Sequence, residues 1–479
     1  MQPFRCVKCS NITETDALDP LCGRCGAAVL LADGAGPSVS RGELDDLPPG
    51  VWRYRAFLPD AAFGESVTLG EGGTPLLRAE RLGDELGLSN LLIKDESRNP
   101  TGSFMDRGST VLLSLAKERR AKECTCVTTG NLGASLAAYC AKAGIRARIR
   151  VNPNTDQGKL YQMLAYGAEV EASSGPAARR RDANRLWVSA ANPYLLEGEK
   201  TTGFEVVQEL GWKAPDAIVV PVGTGGHLSM IWRSITQLRR AGLADASECR
   251  LLAVQVGKNV TKAAGGRASV QAAQVPLAEL EESEPFFRDE AAKAVKESGG
   301  ATIETTTADM VNATTLLART EGIFAEPSSA SVVAALSGAV RRGYVRRSET
   351  VVCVVTGAGL KDTKAVSRLA RETRRVAFGE PYAMPTPRIG QTKLALLHLL
   401  QTRPSYGYEL RNRLGPEKRL STASVYQHLA ELEDLMMVRR RVSVVAKGRE
   451  RIPYELTRRG SDFLRIAGRL ERAGRSVPS

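Results

Sequence analysis

Short apolar runs of β-strand length alternate with longer amphipathic stretches through most of the region between residues 67 and 377. Such alternation predicts repeated β-strand–α-helix units, which assemble into a parallel sheet covered by helices. Three runs lead directly into the glycine-rich turns Thr129-Gly130-Asn131, Gly223-Thr224-Gly225-Gly226 and Thr356-Gly357-Ala358-Gly359. Strand ends and the helix starts that follow them form the ligand crevice of a parallel sheet, so these turns favour a phosphate-bearing ligand. The predicted strands are residues 91–93, 124–127, 147–151, 217–220, 251–254 and 351–355.

The composition is that of a water-soluble protein with several domains. Of the 479 residues, 43% are hydrophobic and 25% are charged. The sequence has no run of about 18 apolar residues, and its first residues lack the apolar core of a secretion signal. We therefore expect a cytoplasmic protein with no membrane contact.

The positive charge is concentrated at the C-terminal end. Of the net charge of +13, residues 388–479 contribute +10, from 19 Lys and Arg against 9 Asp and Glu. This distribution favours a nucleic-acid partner for that segment alone.

Four of the nine cysteines form a C-x2-C-x12-C-x2-C pattern, at Cys6, Cys9, Cys22 and Cys25. Each close pair supplies two thiolates, and two such pairs complete the tetrahedral site of a structural Zn²⁺. A redox dithiol or a chance cluster is the alternative. We predict a zinc ribbon over residues 1–30.

The chain resembles the threonine synthases, which are pyridoxal-phosphate (PLP) enzymes of fold type II, over residues 1–375. The resemblance implies an α/β domain at residues 60–377, with two subdomains, a cofactor cleft between them and a mobile subdomain at about 109–205. Many threonine synthases also begin with a similar ribbon. The segments that carry the resemblance are residues 70–76, 93–108, 129–139, 192–205, 325–330 and 356–362.

Several site residues follow from the resemblance. It implies that Asn131 contacts the phenolic oxygen of PLP and that Thr356 faces the pyridine nitrogen. The phosphate would lie on the turn Gly223, Thr224, Gly225, Gly226 and His227, where Thr224 and His227 replace the usual asparagines. Because backbone N–H groups do most of the cradling, phosphate binding could survive these changes. His227 is alternatively an ordinary helix-start residue. The expected substrate or effector contacts are Thr101, Ser103, Lys200 and Ser328.

Met105 stands where the resemblance places the lysine that holds the cofactor. A lysine amine bonds covalently to the PLP aldehyde and then carries protons, whereas a thioether does neither. We therefore predict that catalysis is lost and that any PLP is bound non-covalently. Three other lysines could replace it only from other positions. Lys94 belongs to a strand end that relatives also carry, which favours a structural or salt-bridged role. By the resemblance, Lys159 and Lys200 match positions outside the anchor.

The basic C-terminal segment follows a proline-rich linker at residues 378–389. Three helix-like patterns and a basic hairpin at residues 390–475 predict a winged helix-turn-helix, with Ser421 capping the third helix. Residues 406–410, 424–429 and 454–457 resemble PadR-type transcriptional regulators. The resemblance implies DNA contacts from Ser424, Tyr426, Gln427, Arg439, Arg440, Arg441, Lys447, Arg449 and Arg451.

PadR-type proteins usually add a long dimerising helix, of which only residues 461 to about 473 remain here. The PLP-fold domain is commonly dimeric in relatives, so the resemblance implies a homodimer through that domain and a palindromic operator. The alternative for the basic segment is a solvated face or a winged helix that contacts protein.

Three functions are compatible with the sequence. The first is a regulator that senses PLP, an amino acid or phosphohomoserine. The second is an active threonine synthase with an appended autoregulatory domain. The third is a scaffold that binds no cofactor.

Overall fold

The structure is a computed structural model in which the chain divides into two compact units, Met1–Thr373 and Arg374–Ser479. None of the described helices is long and apolar enough to cross a membrane. The described residues are 3–14, 18, 20–32, 36–59, 64–128, 130–152, 155–172, 184–245, 248–255, 286–363, 390–414, 420–435, 437–440, 444–446, 449–451, 453–457 and 460–465. The predicted linker at residues 378–389 lies outside them.

A six-stranded sheet forms the centre of the first unit, in the order β12-β11-β10-β13-β5-β4. Neighbouring strands are parallel except that the edge strand β4 runs antiparallel to β5. The central strands read as continuous apolar runs because both of their faces are buried. The strands are β4 (Leu76–Arg78), β5 (Asn90–Asp95), β10 (Ala217–Pro221), β11 (Arg250–Gln255), β12 (Ala301–Glu304) and β13 (Thr350–Val355).

A second, four-stranded sheet has the order β8-β7-β6-β9 and is parallel throughout. Its strands are β6 (Glu123–Thr128), β7 (Arg146–Val151), β8 (Glu169–Ala172) and β9 (Arg185–Val188). The two sheets confirm the predicted α/β class with two subdomains, and all six predicted runs are strands.

Helices connect the strands, as expected for a parallel sheet. Two of them, Met105–Glu118 and Pro193–Glu199, cross at unusually close range. A Cβ built on Gly198 would lie 2.0 Å from the carbonyl oxygen of Arg107, so this crossing requires glycine. The other α-helices of the first unit are Arg41–Asp45, Glu80–Leu86, Asn131–Ala143, Gln157–Ala165, Thr201–Glu209, Gly226–Arg240, Arg288–Glu297, Thr307–Glu321 and Pro327–Arg341. Short 3-10 helices lie at Val51–Phe57, Glu96–Arg98 and Gly359–Lys361.

The N-terminal strands β1 (Phe4–Cys6), β2 (Ile12–Thr13) and β3 (Val29–Leu31) form a small antiparallel sheet in the order β2-β1-β3. Apolar residues of this sheet share a core cluster with the four-stranded sheet. The backbone N–H of Trp187 also donates to the carbonyl of Leu18 at 3.1 Å. The N-terminal segment is therefore an integral part of the first unit.

The second unit contains helices Gln391–Thr402, Gly407–Arg413 and Thr422–Asp434, followed by four short strands. Strand β14 (Val438–Arg440) pairs antiparallel with β17 (Tyr454–Leu456), and β15 (Val444–Ala446) pairs antiparallel with β16 (Arg449–Arg451). Three helices followed by a hairpin are the predicted winged-helix arrangement. Val425, Leu429 and Leu432 of the third helix are fully buried.

Candidate cofactor site

The segment that precedes Met105 is held by the turn after β13. Ser103 and Gly357 form an antiparallel bridge, and the N–H of Phe104 donates to the carbonyl of Thr356 at 3.0 Å. Gly102, at φ +77°, accepts from the N–H of Ala358 at 2.9 Å. Met105 then begins the helix Met105–Glu118 and is half-buried. Two predicted site segments are thereby brought side by side.

Buried ion pairs hold this helix in place. The guanidinium of Arg107 is fully buried and lies 2.6 Å from carboxylate oxygens of both Glu96 and Glu205. Burial favours a raised pKa for the Glu205 carboxyl, but Arg107 and Lys94 outweigh burial and hold that pKa well below its usual range. Beside them, the hydroxyl and N–H of Thr101 both donate to Asp106, each at 2.7 Å. The predicted effector residue Thr101 is thus bonded to the helix Met105–Glu118, which we call the anchor helix.

The predicted phosphate turn leads into the helix Gly226–Arg240, whose first N–H groups can bind an anion. Gly225 has φ +89°, and a Cβ there would lie 2.7 Å from the carbonyl oxygen of Phe287. Glycine is therefore required for the turn. Gly223, Thr224 and Gly226 lie in the same turn, where the N–H of Gly226 points to the Thr224 hydroxyl at 3.4 Å.

His227 is the second residue of that helix and is 6% exposed. Its ring stacks on Phe104, with centroids 4.2 Å apart, and its Nε2 lies 3.2 Å from the Thr202 hydroxyl. Burial lowers the pKa of His227 to about 3, so the imidazole is neutral near pH 7. A neutral ring supplies no positive charge to a phosphate.

Asn131 and Thr356 lie at the ends of neighbouring elements. Asn131 begins the helix Asn131–Ala143, and its side-chain amide donates to Glu326 at 2.9 Å. The hydroxyls of Thr356 and Ser329 are 2.8 Å apart. Ser328, a predicted effector residue, lies in the first turn of the helix Pro327–Arg341. The sequence interpretation missed Glu326, which is fully buried between these predicted residues.

The three lysines considered as replacements for position 105 have their amines engaged. Lys94 donates to the Thr74 carbonyl and contacts Glu205 and Glu209 within 2.8 Å. Lys159 lies 3.0 Å from a carboxylate oxygen of Glu326. Lys200, predicted to contact an effector, is fully buried and donates to Glu197 and to the Phe57 carbonyl.

Lys361, which the sequence interpretation did not single out, differs from these three lysines. It is 5% exposed, and its Nζ has no hydrogen-bond partner among the described residues. Burial lowers its pKa to about 8, although Glu326 and Asp106 act in the opposite direction. Lys361 lies at the end of the glycine-rich turn that follows β13. That position in the sequence was the signal from which its place at the site could have been predicted.

The residues present fit PLP held without a covalent bond. A glycine turn at a helix N-terminus suits the phosphate, and the Thr356 hydroxyl and Asn131 amide lie at the adjoining strand ends. Position 105 carries a thioether, so the group that would bond to the PLP aldehyde is absent there.

The four N-terminal cysteines converge as predicted. Their sulfur atoms all lie within 4.8 Å of one another, and three of the separations are 3.5, 3.6 and 3.7 Å. Zn–S bonds of about 2.3 Å in a tetrahedron require sulfur separations of about 3.8 Å. The cluster therefore fits a tetrahedral metal ion.

The described residues of the predicted DNA surface lie on the third helix and the wing. Tyr426 and Gln427 are exposed, and Ser424 is half-buried. Arg439 lies 2.5 Å from Glu455 and Arg440 lies 3.0 Å from Glu433, and both arginines remain exposed. Such exposed ion pairs are weak and leave the guanidinium groups able to meet phosphates. Arg441 and Lys447, and the side chains of Arg449 and Arg451, lie outside the described residues.

Comparison with known families accounts for both units. Residues 67–357 match the family described as pyridoxal-phosphate dependent enzyme, and residues 396–466 match the transcriptional regulator PadR-like family. A threonine synthase of Methanocaldococcus jannaschii is 35% identical over 389 residues, which cover 78% of this chain and 96% of the relative. A threonine synthase of Synechocystis is 38% identical over 324 residues, covering 64% and 82% respectively.

Solved structures share the fold of the first unit. Threonine deaminase isoform 2 from Solanum lycopersicum matches with a TM-score of 0.50 and 17% identity, over 72% of this chain and 98% of its own. An L-serine ammonia-lyase from Rhizomucor miehei matches with a TM-score of 0.51 and 22% identity, over 64% of this chain and 99% of its own. Both are PLP-fold neighbours of the α/β unit. The chain belongs to the pyridoxal-phosphate-dependent enzyme family, among the threonine synthase homologues, and carries a PadR-like regulator domain at its C-terminal end.

Proposed function

We propose that this protein is a cytoplasmic DNA-binding regulator whose PLP-fold unit binds PLP, an amino acid or phosphohomoserine without converting it. The observation that carries the proposal is Met105 at the start of the anchor helix, within an otherwise intact family motif. PLP, when bound, supplies an electron sink for amino-acid chemistry, and a lysine amine normally supplies the proton transfers.

The surroundings of position 105 support binding without turnover. Arg107, Glu96 and Glu205 hold the anchor helix, and the Phe104 ring packs on His227. A buried charged network of this kind is costly to assemble unless its geometry is well satisfied, as it is here. These contacts support a firmly held helix whose first residue, at position 105, carries no amine. His227 and Thr224 would reshape phosphate recognition, which would then depend on backbone N–H groups.

The second unit supplies the proposed output. The third helix presents Tyr426 and Gln427 to solvent, and exposed Arg439 and Arg440 lie on the adjoining strand. We propose that this helix enters the major groove and that the wing contacts phosphates, including through Arg441, Lys447, Arg449 and Arg451. Dimerisation through the PLP-fold unit would match a palindromic operator.

An active threonine synthase with an appended DNA-binding domain is the second candidate. Its support is 35% identity to a threonine synthase across 96% of that relative's length. For this function, the chain must supply the proton carrier from a residue other than Met105. PLP that stays bound after dialysis and turns over phosphohomoserine in the wild-type protein would favour this candidate.

Genome-wide footprinting of the full chain, with and without added PLP, amino acids and phosphohomoserine, tests the regulator. We expect discrete occupied sites whose occupancy changes with one of these ligands. A protein with Gly407→Trp in the winged helix, where a Cβ would already meet the Tyr426 ring at 2.6 Å, is the matched negative control. The absence of enriched sites would end the regulator proposal.

A further inference from the structure

Lys361 is a buried cation, and its ammonium nitrogen has no hydrogen-bond partner among the described residues. It is 5% exposed and is the last residue of the 3-10 helix Gly359–Lys361. The charged groups that act on it are Glu326 and Asp106, which favour its charge, and Lys159, which opposes it. Glu326 is already occupied by Lys159 at 3.0 Å and by Asn131 at 2.9 Å. An unpaired buried ammonium is costly, so the site favours an added anion.

Two further unpartnered polar atoms lie in segments that pack around the same place. Gln162 donates its amide to the Thr101 carbonyl at 3.2 Å, but its buried Oε1 has no partner in the described part of the chain. Thr155 is 8% exposed, and its hydroxyl likewise lacks one there. Buried polar groups in folded proteins are nearly always hydrogen-bonded, so three such atoms in one neighbourhood favour a polar ligand there.

Backbone contacts bring these three residues together. The side chain of Lys361 packs on the Thr101–Gly102 segment, since a Cβ at Gly102 would lie 3.3 Å from Lys361 Cδ. The helix that carries Gln162 also meets Lys361, because a Cβ at Gly158 would lie 2.8 Å from the Lys361 carbonyl oxygen. Asp156, next to Thr155, accepts from the N–H of Thr363 at 3.0 Å.

We propose that Lys361, Thr155 and Gln162 form a subsite for a free α-amino acid, next to the Asn131–Glu326 pair. The ligand's carboxylate accepts from the Lys361 ammonium and the Thr155 hydroxyl, and its ammonium donates to Gln162 Oε1. This subsite rests on the proposed function, because it specifies where and how the amino-acid effector binds. The chemistry is binding alone, and no bond to the ligand forms or breaks.

Isothermal titration calorimetry on the full chain without DNA tests the subsite. The probes are the standard amino acids and L-homoserine, with acetate as an anion that lacks the ammonium group. We expect at least one amino acid to bind and acetate to bind far more weakly. We expect Lys361→Met to weaken the amino acid roughly tenfold or more, since a hydrogen bond to a charged group is lost. The matched control Lys117→Met changes an exposed lysine and should bind as the wild type does.

A second variant and a pH series distinguish loss of the subsite from a folding defect in Lys361→Met. Gln162→Leu should also weaken the amino acid, but it should leave acetate binding unchanged. Wild-type affinity should fall between pH 7 and pH 8.5 as the Lys361 amine loses its proton, while the ligand's own ammonium stays charged, and Lys361→Met should lack this dependence.

Wild-type affinity in Lys361→Met, or equal binding of acetate and amino acids, would overturn the subsite. So would the absence of amino-acid binding to the wild type. Loss of ligand-free DNA binding would instead contradict the proposed function, so the two failures are distinguishable.

Discussion

The ring of Phe104, the residue immediately before Met105, stacks on the imidazole of His227 with centroids 4.2 Å apart and planes inclined by 15°. Stacking of this kind joins the anchor segment to the predicted phosphate turn. His227 is 6% exposed, and this burial keeps its imidazole uncharged near pH 7. Two of the three departures from the family pattern, at positions 105 and 227, are therefore linked through the ring of Phe104.

Substitution His227→Asn should make the first unit less sensitive to acid. The folded pKa of about 3 lies below the unfolded value of about 6.5, so the unfolded chain binds more protons between these values. Stability therefore falls as pH falls through this window, by about 2 kcal/mol at pH 5. Chemical denaturation at pH 5 and pH 7.5 measures this difference. His398→Asn, at an exposed position, should preserve the wild-type pH dependence, and an unchanged slope in His227→Asn would contradict the assignment.

Substitution Glu199→Gln should stabilise the first unit at neutral pH. Burial raises the pKa of Glu199 to about 8, so the folded state keeps a proton that the unfolded chain releases above about pH 4.5. The stability that this proton gives is lost as pH rises, and Glu199→Gln should restore about 3 kcal/mol at pH 7. Denaturant titrations at pH 5 and pH 7 should show a much larger gain at pH 7 than at pH 5. Glu80→Gln, at a side chain that is 77% exposed, should show neither gain.

Removal of the metal should destabilise the N-terminal sheet. The four converging thiols predict one zinc ion per chain, and Cys9→Ser should remove most of it because thiolate ligands are required. Elemental analysis gives the zinc content, and thermal unfolding should begin at lower temperature after chelation. Lys8→Ala, at the exposed neighbouring residue, should keep a full complement of zinc. Full zinc content in Cys9→Ser would point to another site.

Substitution Met105→Lys should convert non-covalent cofactor binding into covalent binding. The lysine amine would extend from the first residue of the anchor helix, where the family carries it. Borohydride reduction followed by peptide mapping should find a pyridoxyl group at position 105 in this variant. Met105→Leu, which conserves volume, should behave as the wild type does. A pyridoxyl-lysine in reduced wild-type protein, or none at position 105 in Met105→Lys, would contradict the prediction.

Substitution Gln427→Ala should weaken operator binding by about 1–3 kcal/mol, if this exposed side chain reads a base edge. The loss should be sequence-specific, so binding to random DNA should stay the same. Fluorescence anisotropy with both DNAs measures the difference. Gln391→Ala changes an exposed glutamine of the first helix and should have little effect. Equal losses on both DNAs would assign Gln427 to backbone contact.

Sequence patterns predicted the core strands well because burial on both faces produces continuous apolar runs, as in Ala217–Pro221 and Thr350–Val355. Strands β4, β8, β9 and β12 of the two large sheets were missed. They are short, and all four are edge strands. The pattern of buried residues that reveals a central strand is therefore weak in them.

The site was predicted unevenly for a related reason. Motif positions predict Asn131, Thr356 and the glycine turn as site residues, because such motifs can be seen in the local sequence. Glu326 and Lys361 acquire their surroundings from contacts across more than 150 residues, such as the Lys159–Glu326 pair. Burial and lack of a partner depend on such long-range packing, which a local pattern does not encode.

The bridge between Ser103 and Gly357 fixes the backbone up to the residue before position 105 through main-chain hydrogen bonds. These hydrogen bonds join only main-chain atoms, so they do not depend on the side chain at position 105. Position 105 can therefore carry either the amine of a lysine or the thioether of a methionine while the loop keeps its shape. A lineage could pass from catalyst to receptor, or back again, without first having to evolve a new fold.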